Sequence, residues 1–491
     1  MADITARHPT YGTAQNDWWR PCRDVYAGEQ AVRRANVRYV PLLEGCAGPE
    51  DQDYLRYLER GTFYPAVERT VVGLTGMVLR KPAQVKVTRA IDVNGGITLY
   101  GEGLMEFVAD ALAEQLVVGR AGIAIDWSDA LQRPYWTLWK AEQIVNWSAH
   151  LQNGTVILDR VVLQVENFKP SAKDPNVEEL EVTYRELSMM TPTAGGDSFA
   201  AARDWTLVEV NAQKTWVPGN WKPFIRRGKG LPFIPFVFIG PRRPDPHICK
   251  PPLLDLSLLN LSHWRTSCDY EYGLHFSALP TPYVTGFTSN TPLKIGSGVA
   301  WTIPAKEAKV GMLEFTGQGL GAVEKALDRK ERRMASIGAR LLEDQPGVQE
   351  TAEAVRLRHS GETSALGLLS RALSMSLTSA IRIHAYWQGY GENVPTDKLA
   401  VQLNQDYLES RLSAQELDAL VKTWQAGGIS GKTLYWNLQT GEIARPNVEY
   451  EEEQEDIKAE TPPDDGTGDP NDPNAPPARP GKPAPAPEDG E

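Results

Sequence analysis

The sequence is poor in cysteine: 491 residues hold Cys22, Cys46, Cys249 and Cys268, and no two of them share a CxxC spacing. That excludes a disulfide framework and a zinc ribbon, and it fits reduced thiols in a cytoplasm. Long apolar runs are missing too. The most apolar short stretch, Leu231 to Ile239, contains Pro235 and falls far below the roughly 20 residues that a membrane-spanning helix needs. The opening MADITARHPTYG has no basic segment followed by an apolar core, so no secretory leader is expected. Histidine is scarce: His8, His150, His247, His263, His275, His359 and His384 form no HxH or HxxxH pair, and no metal set is expected. His359 and His384 are expected to cap or pack within helices. No GxSxG elbow occurs.

Charge of one sign is also scarce once the chain is divided. The formal charge is −12, but residues 451–491 carry 13 of 63 acidic and 3 of 51 basic side chains, leaving 50 against 48, or −2, for residues 1–450. A nearly neutral body disfavours a Lys/Arg-dominated surface built to grip phosphates. The same 41 C-terminal residues hold 10 of the 36 prolines. Such a composition buries too little apolar surface to fold, so 451–491 reads as a disordered acidic, Pro-rich tail. The remainder is ordinary for a folded protein, with 41 % hydrophobic and 23 % charged residues overall. Its length exceeds what one core usually serves, so more than one sub-domain is expected.

Along the chain, residues 1–50 show no clear period and are expected to wrap the surface. Phe63, Val67, Val71, Leu74 and Val78 recur every three or four residues between Pro65 and Pro82, which predicts an amphipathic helix. Gly103 to Val118 predicts a second helix, stopped near Gly119, and Ala121 to Trp127 a buried strand. Residues 134–240 alternate apolar and polar positions between Gly, Asn and Pro breaks, the pattern of an antiparallel sheet. Between Arg226 and Pro252 stand seven prolines and six basic residues, which reads as an extended excursion outside the core.

Pro251 and Pro252 open a helix from Leu253 to Ala278, 26 residues, or about 39 Å. Short strands are expected near Ala300 to Ile303 and Gly311 to Phe315. Leu320, Leu327, Met334 and Leu341 fall seven apart, interleaved with Val323, Lys330 and Ile337, which predicts a helix over 320–342 with one polar break in its seam. Its other face carries Glu324, Lys325, Asp328, Arg329, Glu331, Arg332 and Arg333. After a break at 343–350, Thr351 to Gln388 reads as one helix of about 57 Å, a length suited to packing against copies of itself or along an axis. Short helices follow, one opened by Ser413 and stopped at Gly427-Gly428.

Motifs for catalysis fail on context. Ala426, Gly431, Lys432 and Thr433 fit a relaxed phosphate loop, but a helix precedes them where a strand is required, so a helix stop with Ser430 capping the next turn is preferred. Gly317, Gly319 and Gly321 have the wrong spacing for a dinucleotide loop and no parallel βαβ unit. The pairs Glu343-Asp344 and Asp464-Asp465 read as solvated acids. No catalytic residue, metal or cofactor is expected, and the chain reads as a non-enzyme.

Four blocks carry a family likeness. They are RGTFYPAVERTVVGLTGMVLRKP from Arg60, PPLLDLSLLNLSHWRTSCDYEYGLHFSALPTPYVTG from Pro251, LEFTGQGLGAVEKALDRKERRMASIGARLL from Leu313, and QETAEAVRLRHSGETSALGLLSRAL from Gln349. In this order they resemble the portal proteins of tailed bacteriophages, the head-to-tail connectors, of the uncharacterised-domain type. The likeness spans roughly residues 50 to 440. It implies an α+β portal fold with a wing of helices plus antiparallel sheet, a stem helix, a clip, a tunnel loop and a helical crown, closed into a ring of about twelve subunits. It also implies an N-terminal arm and wing over 1–225, a clip over 226–252, a stem helix over 253–280, wing strands and a helix over 281–342, a tunnel loop over 343–350, and a long helix and crown over 351–450.

The resemblance further implies a conduit for double-stranded DNA at one capsid vertex, during packaging and ejection. Its partners would be terminase, capsid or scaffold proteins, and head-completion or tail proteins. It would act in the virion, and in host cytoplasm during assembly, with no membrane. The tunnel loop would be Glu343, Asp344, Gln345, Pro346, Gly347, Val348, Gln349 and Glu350. Lys325, Arg329, Arg332 and Arg333 would contact neighbouring subunits or DNA. The competing classes are a nucleotide-driven packaging enzyme using Lys432 and a structural virion subunit without DNA contact.

Overall fold

A computed structural model describes residues 3–86, 96–152, 154–171, 173–192, 196–210, 213–278, 281–286, 309–313, 319–339, 352–390, 399–405, 407, 414–441, 443–445, 448 and 450–460. The fold is α+β. Helices α1 (Arg20–Tyr26), α2 (Glu29–Ala35), α3 (Gln52–Arg60) and α4 (Ala66–Leu79), strand β1 (Gln84–Lys86) and helix α5 (Leu104–Val117) come first. They are followed by β2 (Ala121–Ser128), β3 (Arg133–Lys140), β4 (Ile144–Gln152), β5 (Thr155–Pro170), β6 (Glu178–Met190), β7 (Phe199–Val210) and β8 (Gln213–Pro218). Short strands β9 (Lys222–Pro223), β10 (Ile225–Arg226) and β11 (Lys229–Gly230) lead to β12 (Phe236–Ile239). Helix α6 (Leu254–Ala278), strands β13 (Thr281–Thr285) and β14 (Lys309–Leu313), helices α7 (Leu320–Met334) and α8 (Ala352–Gln388) and strand β15 (Ala400–Gln402) complete a unit of residues 1–405. A second unit, 406–491, holds α9 (Ala414–Gln425), α10 (Gly431–Thr440) and α11 (Tyr450–Glu460). No described helix is long and apolar enough to cross a membrane.

The antiparallel sheet expected over 134–240 forms as a meander, β4-β5-β6-β7-β8, with β9 also pairing β7. A smaller sheet, β12-β2-β3, lies beneath α8. Helix α8 anchors to it through hydrogen bonds from Ser376 Oγ to Phe238 O (3.1 Å) and from Trp387 Nε1 to Ile125 O (3.1 Å). Hydroxyls spaced four apart on α8 act as a substitute strand edge for β15. Thr378 Oγ1 accepts from Val401 N and Ser374 Oγ from Leu403 N, each at 3.0 Å, while Ser370 Oγ donates to Asn404 O. Helix α8 runs unbroken through Gly361 and Gly367.

Several expectations are corrected. The N-terminal residues do not merely wrap the surface: Ile4, Tyr11, Trp19, Cys22 and Val25 are buried, and Tyr11 Oη donates to Ala141 O and Ile144 O at 2.9 and 2.6 Å. Residues 226–252 do not run wholly outside the core either. Their prolines flank Phe236–Ile239 without entering it, so those four residues pair with β2 and are all buried. The helix expected to reach Leu342 ends at Met334 and passes into a π-turn, Ala335–Ala339. The extra residue per turn rotates the seam, so Met334 is buried while Ile337 is 50 % exposed. The acidic stretch expected to lack structure from Glu451 is helical over Tyr450–Glu460. The strand expected at 300–303 lies outside the described residues.

Buried charge is concentrated at few points. Glu186, on β6, accepts from Arg160 Nε (2.5 Å), Arg203 Nε (2.8 Å) and Trp205 Nε1 (2.8 Å). Burial pushes its carboxyl pKa up, but the three donors outweigh that and hold it below the ordinary value. Arg120 is buried between the rings of Trp147 (4.2 Å) and Phe238 (4.8 Å) and donates to Pro246 O, and burial pushes its pKa down to about 10. His384 is packed inside as expected: its Nδ1 accepts from Trp136 Nε1 at 3.1 Å, and burial lowers its pKa to about 4.

Because the folded-state pKa of Glu186 is depressed, its stabilisation is complete above the unfolded value near 4.5 and is lost as pH falls through the folded one. Glu186→Ala is expected to cost about 3 kcal/mol at pH 7. Urea unfolding should show the gap to the unaltered protein narrowing as the pH is lowered toward 3; a gap independent of pH would contradict this account.

Candidate nucleic-acid interface and assembly surface

Helix α6 is the element on which the candidate surface is built. Its buried face, Leu256, Leu261, Trp264 and Cys268, meets α1, α3 and α4. Trp264 packs edge-on against Phe63 (6.0 Å) and under the Arg33 guanidinium (5.7 Å). The absence of a side chain at Gly61 admits Cys268: a Cβ there would lie 2.5 Å from its sulfur. Three polar side chains of the helix take partners from neighbouring segments. Asn260 Nδ2 donates to Tyr64 O (2.9 Å), Ser267 Oγ accepts from Thr62 N (2.9 Å), and Asp269 accepts from Tyr57 Oη (2.6 Å).

Helix α7 packs antiparallel on α6, as the register of contacts shows. Leu320 lies against Gly273, Lys330 Nζ donates to Ser262 O (2.8 Å) and Thr266 Oγ1 (2.5 Å), and Gly338 faces Leu256. Lys330 is the one polar residue in the expected apolar seam. It does not break the seam, because its methylenes lie along α6 while the ammonium finds oxygen acceptors. Beside it, His263 Nε2 donates to Glu331 Oε1 at 3.1 Å. Burial pushes the His263 pKa down against the pull of that carboxylate. The pair of helices is joined by a segment whose described parts, β13 and β14, form an antiparallel hairpin.

Of the residues expected to act, Lys325, Arg329, Arg332 and Arg333 all lie exposed on α7. Lys325, Arg329 and Arg332 share one stripe by their spacing. Arg332 is joined to Asp328 by a long ion pair (3.9 Å) with both side chains more than half exposed, a contact worth little in water. The stripe is mixed in sign, with Glu324, Asp328 and Glu331 interleaved. Glu343, Asp344, Gln345, Pro346, Gly347, Val348, Gln349 and Glu350 lie outside the described residues. What sequence reasoning missed is the polar lock of Asn260, His263 and Ser267 on the buried side of α6. Its signal was the spacing of three and four residues, hidden because each side chain is polar where a core stripe would be apolar.

The two rejected motifs have ordinary geometries. Gly427, with φ +76°, ends α9, and the Gly428 N–H returns to Thr423 O (2.8 Å). Ser430 Oγ caps α10 by accepting from Thr433 N (3.1 Å), and Lys432 Nζ pairs with Glu451 (2.8 Å). The Gly428 and Thr433 amides, which a phosphate there would draw on, are used in capping. Gly319 and Gly321 open α7 after a hairpin strand that pairs antiparallel.

Gly338 is crowded from two sides: an added Cβ would lie 2.7 Å from Thr70 Cγ2 on α4 and 2.9 Å from Leu256 Cδ2 on α6. Gly338→Ala is expected to lower stability by about 1 to 3 kcal/mol. Gly321→Ala, which meets nothing within 4 Å, should be neutral or stabilising by a few tenths. Thermal unfolding of the two variants tests the difference.

Residues 252–388, from the Pro252 lead-in to the end of α8, match the family described as "Domain of unknown function (DUF4055)". No curated protein matches the chain. Among solved structures it is similar to a chain of the "Neck of empty GTA particle computed with C6 symmetry", at 13 % identity and TM-score 0.39, covering 80 % of this chain and 96 % of that one. It is also similar to a chain of the "Virion of native gene transfer agent (GTA) particle", at 14 % identity and TM-score 0.39, with 83 % and 98 % covered. A chain of the "Neck of native GTA particle computed with C12 symmetry" is similar at 14 % identity and TM-score 0.37, with 79 % and 93 % covered.

Proposed function

We propose that this chain is the subunit of a portal-type ring at one capsid vertex, a passive conduit for double-stranded DNA onto which a separate motor docks. The observation that carries the reading is the continuous segment from α6 to α8. Three of the four sequence blocks that resemble portal proteins fall in it, and it holds two long antiparallel helices joined through a hairpin, followed by a helix of 37 residues. In this reading α6 and α7 are the paired stem helices. The clip, where terminase and later head-completion proteins dock, is then the segment between them, 279–319, rather than 226–252, whose centre is a core strand. Residues 343–350 are the tunnel loop, and 351–450 are the long helix and crown.

A sliding conduit must not hold its cargo. Each fixed Lys or Arg contact to phosphate strengthens binding and adds a barrier to movement. Glu343, Asp344 and Glu350, repeated around a ring, repel phosphates and keep the duplex centred. Lys325, Arg329, Arg332 and Arg333 then serve pairing between subunits, where the acids interleaved with them on α7 supply partners.

Electron microscopy of the purified protein is expected to show annular particles with an axial hole wide enough for a duplex; monomers under every condition would end the proposal. The triple variant Glu343→Lys, Asp344→Lys, Glu350→Lys is expected to keep its rings but to retain DNA strongly at low salt, with affinity falling steeply as salt rises. Unchanged retention would remove the loop from the channel.

A further inference from the structure

Strand β5 carries two unlike surfaces at its two ends. At its start, Val156 borders an apolar groove of about 470 Å³ whose other walls include Phe233, Pro244, Pro246, Ile383 and Tyr386. The rim is basic. Arg382 lines it, and the Arg226 guanidinium stacks on Tyr386, another of its walls, at 4.5 Å.

At its other end β5 leaves the sheet. Its pairing with β4 stops at Leu163, and the pairing of β6 with β7 starts only at Tyr184, so residues 164–170 and 178–183 form a ribbon of two strands. Phe168 and Leu180 stand opposite each other on this ribbon, 67 % and 53 % exposed. An exposed cross-strand pair of one aromatic and one aliphatic side chain on a projecting ribbon is an unfilled contact. The residues around it, 166–181, carry five acids and two lysines, a net −3. The apolar tip thus has an acidic setting, and the apolar groove a basic one.

The tip cannot fill the groove of its own chain. Val156 and Phe168 are twelve residues apart on one strand, which separates them by up to about 40 Å, and β5 stays extended between them in its pairing with β4 and β6. We infer that the β5–β6 ribbon of one subunit inserts Phe168 and Leu180 into the Phe233–Tyr386 groove of the next copy. Tip and groove are different patches, so the contact is head-to-tail, the kind that generates rings when its rotation closes. This rests on the ring reading above and supplies it with a specific joint.

The test uses full-length protein carrying Cys46→Ser and Cys249→Ser in two forms, Phe168→Cys and Ile383→Cys, mixed under assembly conditions and oxidised. A covalent dimer containing one chain of each kind is expected, and it should be absent when either form is oxidised alone. Phe168→Glu with Leu180→Glu, both at exposed sites, should keep the unfolding midpoint and raise the concentration for half-assembly more than tenfold. Annular particles that form without the mixed dimer, and at unchanged concentration in the double Glu variant, would overturn the docking while leaving the ring. Absence of annular particles from the unaltered protein, together with absence of the mixed dimer from the cysteine forms, would overturn both.

Discussion

The larger unit depends on the packing of one face of α6. That helix leaves Asp255, Leu258, Arg265 and Asp269 exposed and buries Leu256, Leu261, Trp264 and Cys268 together with Asn260, His263 and Ser267. Polar side chains on a buried face need partners from the elements packed against it. Asn260, Ser267 and Asp269 find theirs on the segments around α3 and α4, while Ser262, His263 and Thr266 meet α7. The placement of α3, α4 and α7 follows from that requirement, and the hairpin at the end of the α6–α7 pair follows from the placement of α7.

The same economy governs charge. Three buried ionisable groups are handled in three ways. Glu186 keeps its charge because three donors converge on it, Arg120 keeps its charge between two aromatic faces, and His384 gives up its charge altogether. The exposed charges of α7 are mixed in sign and weakly paired. Such a surface suits subunit contact or a sliding polyanion better than a tight grip on nucleic acid.

Periodicity made the helices of the first unit legible. The spacing of Val67, Val71 and Val78 and the proline boundaries of α6 placed α4 and α6 to within a few residues, and alternation marked the meander over 134–240. Where local rules misled, tertiary contacts had overridden them. Counting prolines placed 226–252 outside the core, but the apolar Phe236–Ile239 between them had an edge of β2 to pair with. The heptad from Leu320 continued past Met334 on paper, but Gly338 must approach Thr70 and Leu256, and a π-turn permits that approach.

The sequence by itself determined the class of the fold, the low and nearly balanced charge of the body, the positions of the long helices, and the exposure of Lys325, Arg329, Arg332 and Arg333, because these depend on composition and on spacing within a single element. Only the tertiary structure decided that Lys330 reaches across to α6, that His384 is neutral, that the N-terminal aromatics are interior, and that β5 bears an acidic apolar tip and a basic apolar groove up to about 40 Å apart. Each of those depends on groups distant in sequence meeting in space, or being kept apart by a strand that stays extended through its pairing.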